Sequence, residues 1–561
     1  MRKAEQNRLQ EGACSNTDSG CGRIPAPGAR HVARPPAIAL ALALACSGCA
    51  TLYHLDDYTT EDGSTAPDGP SWATPPETSA GGPSAQTANG AVDHPSTHPA
   101  ARCQTNAECA GEVLSICVKD TGTCMPVLST ECSRVYGPVT RDDALVVGAI
   151  LRGEATGEPN ELERAAALAA EELDFARPFA VVACGASEDV LRGARHLVED
   201  LRLSGIVGPT LGEHVVDVSQ QASIKAGAAV MTPSALSSSI TALADSDLTW
   251  RAVPSDGQRA KLVIDQIRAL ESLVQVTRGV TTVKLGIVHS EDAVGAGARD
   301  SIASKLVING KFMSDPANAS LVSIDAYGAG GDVSLQAAIA TRYATAFKPD
   351  IVFVTAGEQV ENVVVPLEQA LTASRALQRP FYVITEAAKN RQLLDAIAEG
   401  RLPSDIRRRI RGIGTKSEAG SSMVASSFAA RYSARYGAPP STPAAAASYD
   451  AVYALAFAMA KGGASRGAGV AQALRSFAVG TPFAVGPDAA SAVFDELAAG
   501  RAVSLRGTLG RLSWDSSGDL AAGLVEVWCV GGSGATATFG SSGLTMDVET
   551  QVVGGGFVQC Q

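Results

Sequence analysis

Ser465 lies in the one stretch that matches a catalytic motif by letter. Gly463-Ala-Ser465-Arg-Gly467 has the spacing that surrounds the nucleophile of many serine hydrolases. That chemistry needs a strand before the serine and a helix directly after it, so that the hydroxyl is exposed on a sharp turn. Residues 444–461 have a helical pattern instead, and the match falls in a glycine-rich loop. We therefore predict no catalytic residue and no enzyme activity.

Nucleotide and metal chemistry also lack the spacings that they require. The glycines around Gly297 and in residues 328–331 have neither the spacing nor the acidic partner of a dinucleotide site, and Gly414-Thr-Lys-Ser417 lacks the adjacent Gly-Lys of a phosphate loop. The 7 histidines show no metal-ligand spacing. We expect neither a cofactor nor a metal.

Two cysteines close a short apolar run near the N-terminus. Residues 37–45 are apolar, follow Arg30 and Arg34, and are too few to span a bilayer, which is typical of a secretory signal. A cysteine directly after small residues resembles the lipobox of bacterial lipoproteins, in which the thiol receives a lipid and becomes the mature N-terminus. Cys49 is our first choice for that residue and Cys46 the alternative. Residues 1–48 are then a signal peptide with an unusually long polar beginning.

Cysteine chemistry beyond the signal indicates export. A redox role for the Cys46-x-x-Cys49 pair would need a helix N-terminus in a thioredoxin-like fold, and this pair lies in a leader. Eight cysteines follow, an even number that favours pairing in an oxidising compartment. They are Cys103, Cys109, Cys117, Cys124, Cys132, Cys184, Cys529 and Cys560.

A small cysteine-rich module occupies residues 102–133. So short a segment cannot form a core alone, so two disulfides among its first four cysteines are the natural cross-links. Zinc is the competing reading, but the module has no histidine and its spacings are irregular. Cys132 with Cys184, and Cys529 with Cys560, are further candidate pairs. The sequence leaves the connectivity open.

The composition restricts the classes of partner that the chain is expected to bind. The chain has 561 residues with 46 Lys plus Arg against 58 Asp plus Glu, a net charge of -12, and no basic stripe with interleaved aromatics, so we expect no nucleic acid. Residues 49–101 are rich in Pro, Gly, Ser, Thr and Ala and predict a flexible tether. No segment after the leader is apolar for long enough to span a membrane.

From residue 142 onward, apolar runs of strand length alternate with amphipathic stretches of helix length. This alternation predicts parallel sheets flanked by helices, an α/β fold. It occurs twice, followed by three helical stretches and two terminal strands. The expected strands are residues 144–151, 179–184, 205–209, 228–233, 283–289, 321–325, 350–355, 381–385, 504–514 and 524–530. Two open α/β lobes predict a cleft where the carboxyl ends of their strands converge.

Six ordered motifs carry a family resemblance. They lie at residues 207–230, 232–235, 250–256, 348–353, 448–453 and 507–518. With them, residues 142–530 resemble the type I periplasmic-binding fold, specifically the branched-chain amino-acid-binding proteins of ABC transporters. The resemblance implies two lobes joined by a hinge with three crossings, near residues 254–258, 387–412 and 514–520. Lobe I is then residues 134–256 plus 413–513, and lobe II residues 257–412 plus 514–561.

The resemblance also implies which residues contact a ligand. In the loop Thr210 to His214, Gly212 falls where the family has a serine, and Glu213 would repel a carboxylate. Glu386 falls where the amino-acid binders meet a ligand ammonium, although a strand-end carboxylate that caps the next helix is an equal reading. The full predicted set is Gly212, Glu213, Ser234, Ala235, Leu236, Ala356 and Glu386.

These observations predict a lipid-anchored, extracytoplasmic solute-binding protein of the bacterial envelope. It would capture a small amino-acid-like or related molecule and deliver it to an ABC permease. Because the ligand loops depart from the family pattern, two alternatives stay open. One is a non-transport envelope interaction lipoprotein that resembles activators of cell-wall synthases, and the other is a ligand sensor.

Overall fold

The computed structural model describes residues 102–151, 157–185, 189–328, 333–355, 361–416, 422–462 and 466–561. The predicted signal peptide and tether, with Cys46 and Cys49, lie outside these residues, as do Ala356 and Ser465. Within the described ranges, no helix is both long enough and apolar enough to cross a membrane.

The cysteine-rich module is a hairpin of two short antiparallel strands, β1 (Ser115–Val118) and β2 (Thr123–Pro126). Two disulfides join its first four cysteines, Cys103–Cys117 and Cys109–Cys124. This confirms the prediction of two cross-links. Because these four sulfur atoms are bonded in two pairs, they are disulfide sulfurs rather than thiols that could bind zinc.

A third disulfide fixes the module to the first lobe. Cys132 is bonded to Cys184, and both are buried. Nearby, the Nε2 atom of the buried His196 lies 3.0 Å from the carbonyl oxygen of Val127. The module and the lobe therefore share a core.

The first lobe contains a sheet of six described strands in the order β3-β5-β4-β6-β7-β8. Neighbouring strands are parallel except β3, which is antiparallel to β5. The strands are β3 (Arg134–Tyr136), β4 (Leu145–Ile150), β5 (Phe179–Cys184), β6 (Gly205–Val207), β7 (Ala229–Thr232) and β8 (Thr249–Arg251). Every residue of β5 is buried, which explains why it has an unbroken apolar sequence.

The helices of this part of the chain cover the sheet. They are α1 (Glu161–Asp174), α2 (Val190–Arg195), α3 (Gly212–Val218), α4 (Ile224–Ala226) and α5 (Ser238–Thr241). Single π-helical turns continue α2 (His196–Asp200) and join α3 to α4 (Ser219–Ser223). The first helix begins at Glu161 because the side chain of Asn160 accepts hydrogen bonds from the backbone N–H groups of Leu162 and Glu163.

The second lobe contains an eight-stranded sheet in the order β12-β9-β13-β14-β15-β18-β19-β20. Its first five members are parallel, and the last three continue it antiparallel. Two small pairs, β10 with β11 and β16 with β17, lie outside it. The strands of the sheet are β9 (Leu285–Ser290), β12 (Val322–Tyr327), β13 (Ile351–Thr355), β14 (Phe381–Ile384), β15 (Ile410–Thr415), β18 (Leu524–Gly531), β19 (Thr538–Asp547) and β20 (Val553–Gly554). The short pairs are β10 (Val307–Ile308) with β11 (Lys311–Phe312), and β16 (Thr481–Ala484) with β17 (Val503–Arg506), and this second pair packs on the core of the first lobe.

Nine further α-helices lie in the described part of the chain. Five flank the second sheet: α6 (Asp256–Arg278), α7 (Ala293–Ala303), α8 (Val333–Arg342), α9 (Glu361–Ala373) and α10 (Arg391–Ala398). Four return to the first lobe: α11 (Met423–Tyr436), α12 (Pro443–Gly462), α13 (Arg466–Ser476) and α14 (Pro487–Ala498). Helix α12 is buried along almost its whole length in the core that it shares with α1.

The second crossing between the lobes differs from the expectation. We expected it within residues 387–412, but residues 410–415 form β15, between β14 and β18 of the second sheet. Residues 413–415, assigned to lobe I from the sequence, therefore belong to the second sheet. The strand was missed because Arg411, Gly412 and Gly414 interrupt its apolar residues.

The C-terminal segment also differs in detail. The expected strand over residues 504–514 is the shorter β17, which ends at Arg506. The chain then crosses back through the Trp514–Leu520 bridge to β18. Cys529 on β18 is bonded to Cys560, which ties the C-terminal tail to the sheet. This confirms the candidate pair.

Candidate interlobe site

The loops that follow β6, β7 and β9 meet between the two lobes. Ser237, in the loop after β7, donates a hydrogen bond from its hydroxyl to the carbonyl oxygen of Ala293, at the start of α7, over 2.7 Å. A Cβ atom placed on Gly212 would lie 3.0 Å from the Cβ of Ser237 and 3.8 Å from a methyl group of Val294. The carboxyl ends of the two sheets are thus in direct contact, where ligands of open α/β folds bind.

Small side chains allow this close approach. A Cβ atom on Gly297 of α7 would lie 3.1 Å from both the hydroxyl oxygen of Ser237 and the backbone nitrogen of Ser238. Larger residues at Gly212 or Gly297 would push the loops apart. The structure therefore shows the lobes closed on each other at these loops.

The predicted ligand loop, residues 210–214, contains the start of helix α3. Gly212 is its first residue and is buried, whereas Glu213 is exposed to solvent. Thr210 Oγ1 and His214 Nδ1 are buried and have no hydrogen-bond partner in the described part of the chain. These two atoms lie in the loop where the resemblance predicts ligand contacts, and their contribution to binding stays a prediction.

The second predicted loop is engaged inside the protein. Ser234 donates its hydroxyl hydrogen to the carbonyl oxygen of Thr210 over 3.0 Å. The backbone oxygen of Ala235 accepts from Arg251 over 3.1 Å, and that of Leu236 accepts from the backbone N–H of Asp256 over 2.9 Å. Their contribution to ligand binding stays a prediction.

Arg251 is a buried charged residue of the hinge that is not among the predicted ligand contacts. It ends β8, is wholly buried, and its Nε lies 2.6 Å from Asp519 Oδ1. Its Nη2 donates to the carbonyl oxygen of Ser237 over 2.5 Å. Burial lowers the pKa of this guanidinium, and Asp519 opposes that effect. Arg251 thereby ties the first crossing to the third and holds the loop that contacts Ala293.

Glu386 follows β14, and its carboxylate is bound by a second buried arginine, Arg259. Arg259 Nη1 donates to Glu386 Oε2 over 2.5 Å, and Thr415 Oγ1 donates to the same oxygen over 3.0 Å. Arg259 also donates from Nη2 to Thr415 Oγ1 over 2.5 Å and from Nε to the carbonyl oxygen of Pro254 over 3.1 Å. The carboxylate predicted to meet a ligand ammonium is thus already paired with a cation of the chain.

Asp256 completes the hinge cluster at the first position of α6. It lines a cavity of about 10 Å³ together with Arg259 and Thr385, large enough for a single water molecule. Its Oδ2 atom is buried without a partner among the residues that the structure describes. Burial raises the pKa of this carboxyl to about 7, although Arg259 and Arg251 both act to lower it.

The hinge arginines could be recognised from the sequence only by their surroundings. Arg251 interrupts the apolar segment Leu248-Thr-Trp-Arg-Ala-Val253, and Arg259 lies on the predicted entry to the second lobe. Their partners are distant: Glu386 is 127 residues from Arg259. An isolated arginine in an apolar segment is a signal of a buried ion pair, but the sequence does not identify the partner.

No protein-family model and no curated protein matches this chain. Several solved structures are similar to it, among them three binding proteins. An ABC transporter substrate-binding protein from Desulfitobacterium hafniense, in complex with Leu, has 16% identity, covers 71% of this chain and 100% of its own, and has a TM-score of 0.49. The leucine-binding protein LivK from Thermotoga maritima has 16% identity, coverages of 71% and 97%, and a TM-score of 0.48.

The third is the branched-chain amino acid transporter substrate-binding protein LivJ from Streptococcus pneumoniae, in complex with isoleucine. It has 16% identity, coverages of 71% and 99%, and a TM-score of 0.48. These structures belong to the class of protein that the sequence motifs resemble. The α/β fold itself is established by the two sheets and their connections.

Proposed function

We propose that this protein is a lipid-anchored, extracytoplasmic solute-binding protein that captures a small molecule between its lobes for ABC-type uptake. The observation that supports this proposal is the meeting of the loops after β6, β7 and β9 across a hinge with three crossings. Two lobes joined in this way can open and close around a ligand by small rotations at the crossings. The motif resemblance favours an amino-acid-like or related ligand.

The disulfides support the extracytoplasmic location. Eight cysteines form four disulfides, which persist in oxidising compartments and are rare in the cytosol. A tether over residues 49–101 would separate the folded part from a lipid on Cys49, or on Cys46.

A thermal-shift screen of the oxidised protein against a metabolite library tests solute binding. A ligand that binds the folded state raises the melting temperature by mass action, so we expect a concentration-dependent rise with at least one compound. Gly297→Leu should weaken that response, because it separates the closing loops. Gly111→Leu is the matched control, since a Cβ atom there meets nothing within 4 Å. If no compound of the library raised the melting temperature, the result would contradict solute binding.

Labelling with a radioactive fatty acid tests the anchor. We expect label on the wild type and on Cys46→Ala, and none on Cys49→Ala. Label retained by Cys49→Ala and lost from Cys46→Ala would move the anchor to Cys46.

A second candidate is a non-transport interaction lipoprotein of the envelope. The direct Ser237–Ala293 contact favours it, because the chain itself fills part of the interlobe space. Neighbouring genes for permease and ATPase subunits would support transport, whereas genes for cell-wall synthases would support the interaction role.

A further inference from the structure

The charged groups at the hinge restrict what kind of ligand the closed lobes can hold. Building on the proposed function, we infer that Arg259 occupies from within the chain the place of a ligand cation at Glu386. The interlobe ligand is therefore a small, uncharged, hydrogen-bonding molecule, such as an amide or a polyol, rather than a free amino acid.

Arg259 is held by the surrounding chain. Its side chain is 4% exposed, and the guanidinium donates to Glu386, to Thr415 and to the carbonyl oxygen of Pro254. The cavity beside it has a volume of only about 10 Å³, too small for an ammonium-bearing ligand to enter next to the ion pair.

Displacing Arg259 would be costly. A ligand ammonium that bound Glu386 would leave the guanidinium buried without its carboxylate, and breaking a buried pair in this way is strongly destabilising. Glu386 therefore neutralises a residue of the hinge and is not available to a second cation.

The other charges near the contact are also engaged. Arg251 is paired with Asp519, so it does not offer a free cation to a ligand carboxylate. The side chain of Asp292 caps α7 by accepting from the backbone N–H of Gly295 over 2.8 Å, which places an acid where an anion would otherwise be attracted. These pairings disfavour both charged groups of an amino acid.

Apart from Asp256 Oδ2, three buried polar atoms near the strand ends lack partners among the described residues, and they belong to hydroxyl and imidazole groups. Thr210 Oγ1 follows β6, Thr355 Oγ1 ends β13, and His214 Nδ1 lies on α3. All three are buried and unpartnered within the described ranges. Buried hydroxyl and imidazole groups that lack partners gain most from a ligand that supplies uncharged donors and acceptors.

Chemical rescue tests the role of Arg259. Arg259→Ala leaves the Glu386 carboxylate beside an empty space of guanidinium shape. We expect methylguanidinium to raise the melting temperature of Arg259→Ala with saturation, and to leave the wild type and the double variant Arg259→Ala/Glu386→Gln unchanged. Absence of rescue in a folded Arg259→Ala would overturn the assignment.

L-leucine titrations of the wild type and of Glu386→Gln test the ligand class without depending on the folding of Arg259→Ala. We expect leucine to leave the wild-type melting temperature unchanged. A leucine-induced rise that Glu386→Gln abolishes would overturn the inference. If no library compound stabilises the wild type but methylguanidinium rescues Arg259→Ala, the solute-binding proposal fails while the assignment of Arg259 stands.

Discussion

At the scale of single residues, the hinge concentrates buried charge. Arg251 is ion-paired with Asp519 and donates to two backbone oxygens, and Arg259 donates to the Glu386 carboxylate and to one backbone oxygen, so both guanidinium groups have compensating partners. Asp256, between them in sequence, has one oxygen buried without a partner in the described structure. Among the charged groups of the hinge, the Asp256 carboxyl is therefore the one whose burial most destabilises the folded state.

Asp256→Asn should stabilise the protein at alkaline pH. Burial raises the pKa of Asp256 from 3.8 to about 7, so the folded state holds a proton that the unfolded chain has released. Stability must then fall as pH rises from about 4 to about 7, and the loss is complete above that window. Asn removes the loss, and we expect a gain of about 3 kcal/mol near pH 8 that vanishes toward pH 4.

Urea unfolding of wild type and variant across this pH range measures the difference. Asp265→Asn is the matched control, because Asp265 lies on the same helix in an exposed pair with Lys261. That variant should change stability by less than about 0.5 kcal/mol at any pH. Parallel stability curves for wild type and Asp256→Asn would contradict the prediction.

The sequence predicted where the site lies better than it predicted how its residues are engaged. Gly212 is at the interlobe contact, as expected from its place after β6. The pairing of Glu386 with Arg259 was not predictable, because the two residues meet only when α6 packs beside β14. Local pattern identifies the loop at a strand end, whereas the partner of a charge depends on tertiary packing.

At the scale of elements, regularly patterned segments were predicted well. Strand β5 has the bounds that its pattern predicts, residues 179–184. Two of the strands that were not predicted, β19 and β15, have apolar residues that are interrupted. Strand β19 contains four serines and glycines in a row at residues 540–543, and β15 contains an arginine and two glycines. Such residues lower intrinsic strand propensity, and only the neighbouring strands stabilise them.

Gly412→Ala should destabilise the second lobe. Gly412 lies on β15 against the buried ring of Trp528, and a Cβ atom there would lie 1.8 Å from the Cε2 atom of that ring. The ring must shift inside a packed core, so we expect a loss of about 3 kcal/mol in urea unfolding. Gly414→Ala is the control on the same strand and should cost less, because its Cβ would lie 3.3 Å from the ring. Equal stability of the two variants would mean that β15 does not pack on Trp528 in this register.

At the scale of the whole molecule, two arginines tie the three crossings together. Arg251 joins the first crossing to Asp519 on the third, and Arg259 joins the start of α6 to Thr415, where the second crossing begins. The lobes meet through Gly212, Ser237 and Gly297 rather than through large side chains. Closure therefore depends on small residues at the contact and on ion pairs at the hinge.

Gly297→Leu should shift the molecule toward an open form. The added side chain would meet the Ser237 hydroxyl and the backbone of Ser238 across the contact, where a single Cβ atom already comes within 3.1 Å. Separating the lobes costs less than distorting either core, because the contact uses few apolar groups. We expect a larger radius of gyration by small-angle X-ray scattering with an unchanged circular dichroism spectrum, whereas Gly111→Leu should scatter like the wild type. If a folded Gly297→Leu had the same radius of gyration as the wild type, the contact of Gly297 with Ser237 and Ser238 would not be what holds the lobes closed in solution.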